Sequence, residues 1–259
     1  MTVIKMPEFE KMLREAESDE KQKASGREEK KMSEKNEKKN ETENNEARSM
    51  EVVFILDRSG SMTGREDDTI GGFNATLKEQ KKKPGEVFWS TVLFDDEYEV
   101  IHDRVPIARV KELTDREYYT RGCTALLDAI GRSIHRIAEV HKHIGKENVP
   151  DKTLFVITTD GMENSSTEYT YRKVRQMIEK EQGKYGWEFL FLGANMDAVS
   201  VAGRMGIRPE RSATFLNDEE GIRGNYSAIG GAITSLRENG MFDESALDEV
   251  RKDFKKRSK

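Results

Sequence analysis

One cysteine, Cys123, stands in a chain of 259 residues, which excludes a disulfide scaffold and any cysteine-based zinc site. No apolar run approaches the roughly 18 residues that a membrane-spanning helix needs, so no membrane partner is expected. The N-terminus likewise has no apolar stretch long enough for a secretory signal. With a single thiol, this points to a reducing, cytoplasmic setting. Positive charge is not in excess either. Lys and Arg number 44 against 49 Asp and Glu, a net charge of −5, whereas a nucleic-acid face should be basic. Apolar residues are scarce: 35% of the chain is hydrophobic and 36% is charged, so part of it should not be packed core.

The polar excess is concentrated at the start. Residues 1–49 hold 12 basic and 13 acidic side chains, and from Lys23 onward almost nothing is apolar. Such a segment cannot bury enough surface to offset its ordering entropy. Residues 1–49 are therefore expected to be a charged, disordered tail, and residues 50–259 a folded domain. Ile4, Met6, Phe9, Met12 and Leu13 could line one face of a short docking helix, but the composition favours a solvated tail.

Beyond Met50 the text alternates between apolar runs and amphipathic segments. Val52–Leu56, Leu154–Ile157 and Phe189–Leu192 are short continuous apolar runs, as in strands buried on both faces of a parallel sheet. Val87–Phe94 is a further strand, and Tyr98–Val105 reads as an exposed edge strand. Only Asp95, Asp96 and Glu97 separate these two, so they should pair as an antiparallel hairpin. Ser212–Leu216 is a weaker sixth strand. Between the strands, Ile70/Phe73/Leu77, Leu127/Ile130/Ile134/Ile137, Val174/Met177/Ile178 and Ile222/Tyr226/Ile229/Ile233/Leu236 recur at helical spacing. Leu247, Val250 and Phe254 mark a closing C-terminal helix. The expected fold class is α/β: a doubly wound, mostly parallel six-stranded sheet with one antiparallel edge strand and helices on both faces. In such sheets ligands bind beyond the carboxyl ends of the strands.

Those strand ends carry hard oxygen donors. The first buried strand runs into Asp57-Arg58-Ser59-Gly60-Ser61, a carboxylate followed at i+2 and i+4 by hydroxyls. Gly60 permits a sharp turn that aims alternate side chains at one centre. Arg121-Gly122-Cys123-Thr124 opens the long helix, and Leu154–Thr159 ends in Asp160-Gly161. Two carboxylates and three hydroxyls suit Mg²⁺ or Mn²⁺. With only two protein charges, the ion would stay electrophilic and keep positions for water or an outside carboxylate.

The D-R-S-G-S string after an apolar strand, the later G-C-T and the I-T-T-D-G at another strand end resemble the von Willebrand factor A domain and its metal-ion-dependent adhesion site. The resemblance covers roughly residues 50 to 240. It implies a Rossmann-like fold in which Asp57, Ser59 and Ser61 form the first metal loop, Thr124 gives the second loop's hydroxyl and Asp160 the third loop's carboxylate. It also implies a binding function, in which an Asp or Glu of a partner protein completes the metal's coordination, and no catalysis. The missing disulfides and the segment Trp187–Ala198 resemble a bacterial, cytoplasmic branch of that family.

Several neighbours invite narrower expectations. Arg58 or Arg121 could pair with the incoming carboxylate, Met62 and Met162 could surround it, and Glu163 could repel other acids. Asp128, one turn after Thr124, is either a hydrogen-bonding support of the metal loops or a solvated helix residue. Asp95 and Asp96 read as turn residues, and Cys123 as a small packing residue. His135, His141 and His143 read as surface or boundary positions, because 141 and 143 point apart on a helix. The alternative function is a Mg-dependent phosphatase or phosphotransferase using a strand-end Asp. Its usual second Asp, two residues on, is here Ser59. Neither a G-x-x-x-x-G-K-[ST] loop nor a G-x-G-x-x-G after the first strand is present.

Overall fold

The computed structural model describes residues 49–258. The expected charged tail and the Ile4–Leu13 face lie outside the described residues.

Six strands form one sheet in the order β3-β2-β1-β4-β5-β6. They are β1 (Met50–Asp57), β2 (Val87–Phe94), β3 (Tyr98–Pro106), β4 (Lys152–Thr159), β5 (Glu188–Ala194) and β6 (Ser212–Phe215). All neighbours run parallel except β2 and β3, whose antiparallel register sets Phe94 against Tyr98 and Trp89 against Val105. A turn of three residues leaves no room for a crossover, so the hairpin is the only available connection. The fold class is the one the sequence predicts, down to the single antiparallel edge.

Every residue of β1 is buried, which explains its unbroken apolar run in the middle of the sheet. Alternate side chains serve opposite layers. Val52, Phe54 and Leu56 join Trp89, Leu154, Val156 and Leu190 on one face. Helices α1 (Glu66–Lys81), α5 (Glu219–Asn239) and α6 (Asp248–Arg257) cover it with Phe73, Leu77, Ile229, Ile233 and Val250. Val53, Ile55, Phe155, Ile157, Phe189 and Phe191 form the other face. It is covered by α2 (Leu126–His143), α3 (Tyr171–Tyr185) and α4 (Ala198–Arg204) through Leu126, Ile130, Ile134, Val174, Ile178 and Ala202. Each fully buried Phe or Ile contributes roughly 1.5–3 kcal/mol of transfer free energy. Phe54, Phe73 and Trp89 add mutual ring contacts with centroids 4.8–5.9 Å apart.

Helix α4 has no counterpart in the sequence reading. Its seven residues are too few to display a helical period. Its start is marked by Asp197, whose carboxylate accepts from the Ser200 N–H at 3.1 Å. Among the described residues no helix is long and apolar enough to cross a membrane.

Strands β1 and β4 are hydrogen-bonded neighbours at the centre. From β1 the chain goes to β2 on one side and returns later to β4 on the other. Their carboxyl ends therefore open the crevice at the switch point, where the connecting loops diverge.

Candidate metal centre

Three loops meet in that crevice. The first follows β1, passing through a single 3-10 turn at Gly60–Met62. The second precedes α2, and the third follows β4. Backbone hydrogen bonds lace them together. Gly60 N donates to Gly122 O at 3.2 Å, Arg121 N to Arg58 O at 2.9 Å, and Asn164 N to Thr124 O at 3.1 Å. Gly122 adopts φ +66°, a conformation that favours glycine, and a Cβ there would lie 3.3 Å from Asp95 Cβ and displace the Asp96 carboxylate, so glycine suits the close approach of the second loop to the hairpin turn.

The five predicted donors converge. Ser59 Oγ and Ser61 Oγ are 3.1 Å apart, and Ser61 Oγ donates to Asp160 Oδ1 at 2.5 Å. The position a Cβ would take on Gly161 lies 2.7 Å from Thr124 Oγ1, 3.1 Å from Ser61 Oγ and 3.5 Å from Ser59 Oγ. Three hydroxyls from two loops, Ser59 and Ser61 of the first and Thr124 of the second, thus surround one point that glycine leaves free on the third. Asp57, at the end of β1, is 1% exposed and Asp160 is 5% exposed.

Burial pushes the Asp57 carboxyl up to about 6, opposed by hydrogen bonds from Thr159 and Ser59 and reinforced by the nearby Asp160. Asp160 is also raised, first by burial and against hydrogen bonds from Ser61 and Asn217. Neither carboxylate is paired with a basic side chain among the described residues. Two desolvated carboxylates beside three hydroxyls form a hard, electron-rich cradle. Among the described residues no three His, Cys, Asp or Glu side chains gather as a metal-holding group. The cradle differs from such groups in drawing three of its five donors from hydroxyls. The donor set fits Mg²⁺ or Mn²⁺, both of which take oxygen ligands and retain water.

Other side chains, with no local sequence signal, shape this cradle. Thr159 Oγ1 donates to Asp57 Oδ2 at 2.5 Å, while Ser59 N donates to Asp57 Oδ1 at 2.7 Å, fixing both carboxylate oxygens. Tyr118 Oη donates to the Asp57 carbonyl at 2.5 Å. Asn164 Oδ1 accepts from Thr124 N at 2.9 Å, and Asn217 Nδ2 donates to Asp160 Oδ2 at 2.8 Å. A pattern search could have noted that Thr159 precedes Asp160. The partners of the others lie 40 or more residues away in the chain.

Several expectations are corrected. Arg58 does not point at an incoming group: it is fully buried, with Nε 3.0 Å from Asp95 Oδ2 and Nη1 2.6 Å from Glu99 Oε2. Asp95 is more than a turn residue. Its buried carboxylate accepts from Arg58, from Arg121 Nε at 2.6 Å and from Glu97 N at 2.6 Å. Glu163 is occupied at the start of α2, accepting from Leu127 N at 2.9 Å and from Ser166 N at 2.8 Å, rather than facing a ligand. Of the two readings of Asp128 the supporting one fits better: it is buried and accepts from the backbone of Thr167, Glu168 and Tyr169 at 2.8–3.0 Å, which shapes the segment after the third loop. Met62 is buried, whereas Met162 is 65% exposed. Arg121 keeps partial exposure but is already paired with Asp95 and Glu97. Cys123 is exposed on the second loop. His141 is a boundary residue, its Nε2 2.7 Å from Glu51 Oε2, at the end of β1 opposite to Asp57.

No protein-family model matches the chain, and no curated protein does. Solved structures do match it. A von Willebrand factor type A protein from Catenulispora acidiphila superposes with a TM-score of 0.50 at 14% identity, over 72% of this chain and 42% of that one. The fold is von Willebrand factor A-like. The PilB minor pilin from Streptococcus sanguinis gives a TM-score of 0.54 at 13% identity, over 74% of this chain and 63% of the pilin. Proximal thread matrix protein 1 from the mussel byssus gives 0.51 at 15% identity, over 71% and 45%. The chain therefore spans less than two thirds of each of these proteins. At such identities the likeness speaks for the shared A-type sheet and not for a shared ligand.

Proposed function

We propose that this von Willebrand factor A-like chain is a divalent-metal-dependent protein-binding module. Asp57, Ser59, Ser61, Thr124 and Asp160 would hold Mg²⁺ or Mn²⁺, and a partner's Asp or Glu would complete the coordination. The observation that carries this reading is the cradle itself: three hydroxyls within 3.5 Å of one point, beside two buried carboxylates. When bound, the ion supplies a positive, incompletely saturated centre that a carboxylate can join.

The protein's own contribution is orientation. Ser59 N and Thr159 hold the two oxygens of Asp57, so that carboxylate needs no reorganisation to accept a cation. Ser61 and Asn217 do the same for Asp160. On the outer side Tyr119 is 44% exposed and Met162 65% exposed, which offers apolar surface next to a charged centre. Only a ligand that brings an acid within reach of the ion and apolar contact around it uses both features.

Catalysis is not part of the proposal. None of the four histidines lies on a metal loop, and position 59 carries a hydroxyl where a phosphate-transferring aspartate pair needs a second acid. The proposed setting is the cytoplasm of a bacterium, on the single thiol and the resemblance of the Trp187–Ala198 segment.

A binding experiment tests the reading. The immobilised protein in Mg²⁺ should retain an acidic protein partner that EDTA releases. Ser61→Ala should weaken the same complex, and so should neutralising the partner's acidic residue. Because each change removes one arm of a single bridge, the losses should not add. Retention indifferent to EDTA, or additive losses, would contradict it.

A further inference from the structure

Asp160 has two oxygens and two different supports. Oδ1 accepts from Ser61 Oγ, inside the predicted donor set. Oδ2 accepts from Asn217 Nδ2 at 2.8 Å, and Asn217 comes from another part of the fold, the short turn between β6 and α5.

That turn is rigidly built. Asp218 N donates to Leu216 O at 2.9 Å, and the Asp218 carboxylate caps α5 by accepting from Gly221 N at 2.8 Å. Arg257 of the C-terminal helix α6 grips the same carboxylate at 2.6 and 3.2 Å. A Cβ on Gly221 would stand 2.0 Å from Leu216 O, so the tight approach of the helix start to the turn depends on glycine. Asn217 is thus fixed from both sides before it reaches Asp160.

Its other amide atom is the informative one. Oδ1 of Asn217 is buried and has no hydrogen-bond partner among the described residues. A buried acceptor left unpaired is costly and calls for a donor. A hydrated divalent cation beside Asp160 would bring such donors, the O–H groups of its retained waters. A neutral amide can also steady Asp160 without adding a third negative charge to a site that already buries two.

We infer that Asn217 is a sixth side chain of the metal centre, a positioning residue that orients Asp160 through Nδ2 and receives a metal-bound water at Oδ1. The inference rests on the metal-dependent reading above. It adds a fourth chain segment, the β6–α5 turn, to the three loops and ties the centre to α6 through Asp218 and Arg257.

The test uses the full chain and Mg²⁺ or Mn²⁺ alone. Asn217→Leu keeps the branched heavy-atom skeleton, at a larger volume, and loses both polar atoms; Asn217→Ser is too short to reach Asp160 and serves if the leucine variant misfolds. Calorimetric titration, melting in EDTA and the electron paramagnetic resonance spectrum of bound Mn²⁺ are compared with the unaltered protein. The expected result is affinity lower by about 10–100-fold, an altered Mn²⁺ spectrum and unchanged melting in EDTA. Equal affinity with an unchanged spectrum would overturn the role of Asn217 and leave the five-ligand centre standing. Weaker binding matched by a fall in metal-free melting, with the spectrum of the bound ion unchanged, would also overturn it, in favour of a purely structural residue. If the unaltered protein binds neither ion, the metal-dependent reading itself fails.

Discussion

Asp57, the first proposed ligand, is held at the expense of the fold around it. Its carboxyl is pushed up to about 6 from an ordinary 3.8, chiefly by burial. A folded-state value above the unfolded one means that the folded metal-free protein prefers the protonated acid. The group's contribution is therefore most favourable below about pH 3.8 and is lost as pH rises through 6. At pH 7 the ionised side chain costs on the order of 3 kcal/mol in the metal-free state. Asp57→Asn should then melt higher than the unaltered protein in EDTA at pH 7, with the advantage vanishing near pH 4. Thr159 can accept from the new amide, since its own hydroxyl also reaches Gly161 O at 3.0 Å. Melting curves across that range check the sign. A variant that melts lower at pH 7 in EDTA would contradict it.

At the scale of elements, the loops are supported by buried ion pairs as well as by the sheet. Arg58 follows the first proposed ligand in the chain but turns inward, where it joins the start of the first loop to the β2–β3 hairpin through Asp95 and Glu99. Arg58→Met should cost about 3 kcal/mol, the low end for breaking a buried pair, because Arg121 still neutralises Asp95. Chemical denaturation measures this directly, and a loss below ~1 kcal/mol would show that the pair is dispensable. The sequence could not reveal the arrangement. Arg58 and Asp95 are 37 residues apart, and local spacing carries no information on such contacts. Strands, by contrast, were legible from their unbroken β-branched runs, and the hairpin from its three-residue turn. Helix α4 was not, because seven residues show no period.

For the whole molecule, the doubly wound sheet was readable because each apolar run and each amphipathic stretch announces its own layer. The convergence of the five proposed donors was readable for a related reason: Asp57 and Asp160 end predicted central strands, and the topology brings such ends together. What escaped were the residues that hold the donors, namely Thr159, Asn164, Asn217 and Tyr118, whose roles depend on distant partners. The central claim is that the point shared by the three hydroxyls is a cation's place. Gly161→Ala tests it without removing a ligand, by putting a methyl 2.7 Å from Thr124 Oγ1 and 3.1 Å from Ser61 Oγ. In a calorimetric titration with Mg²⁺ and Mn²⁺, the unaltered protein should bind one ion per chain and the folded alanine variant none. Equal binding by both proteins, or none by the unaltered one, would contradict the claim.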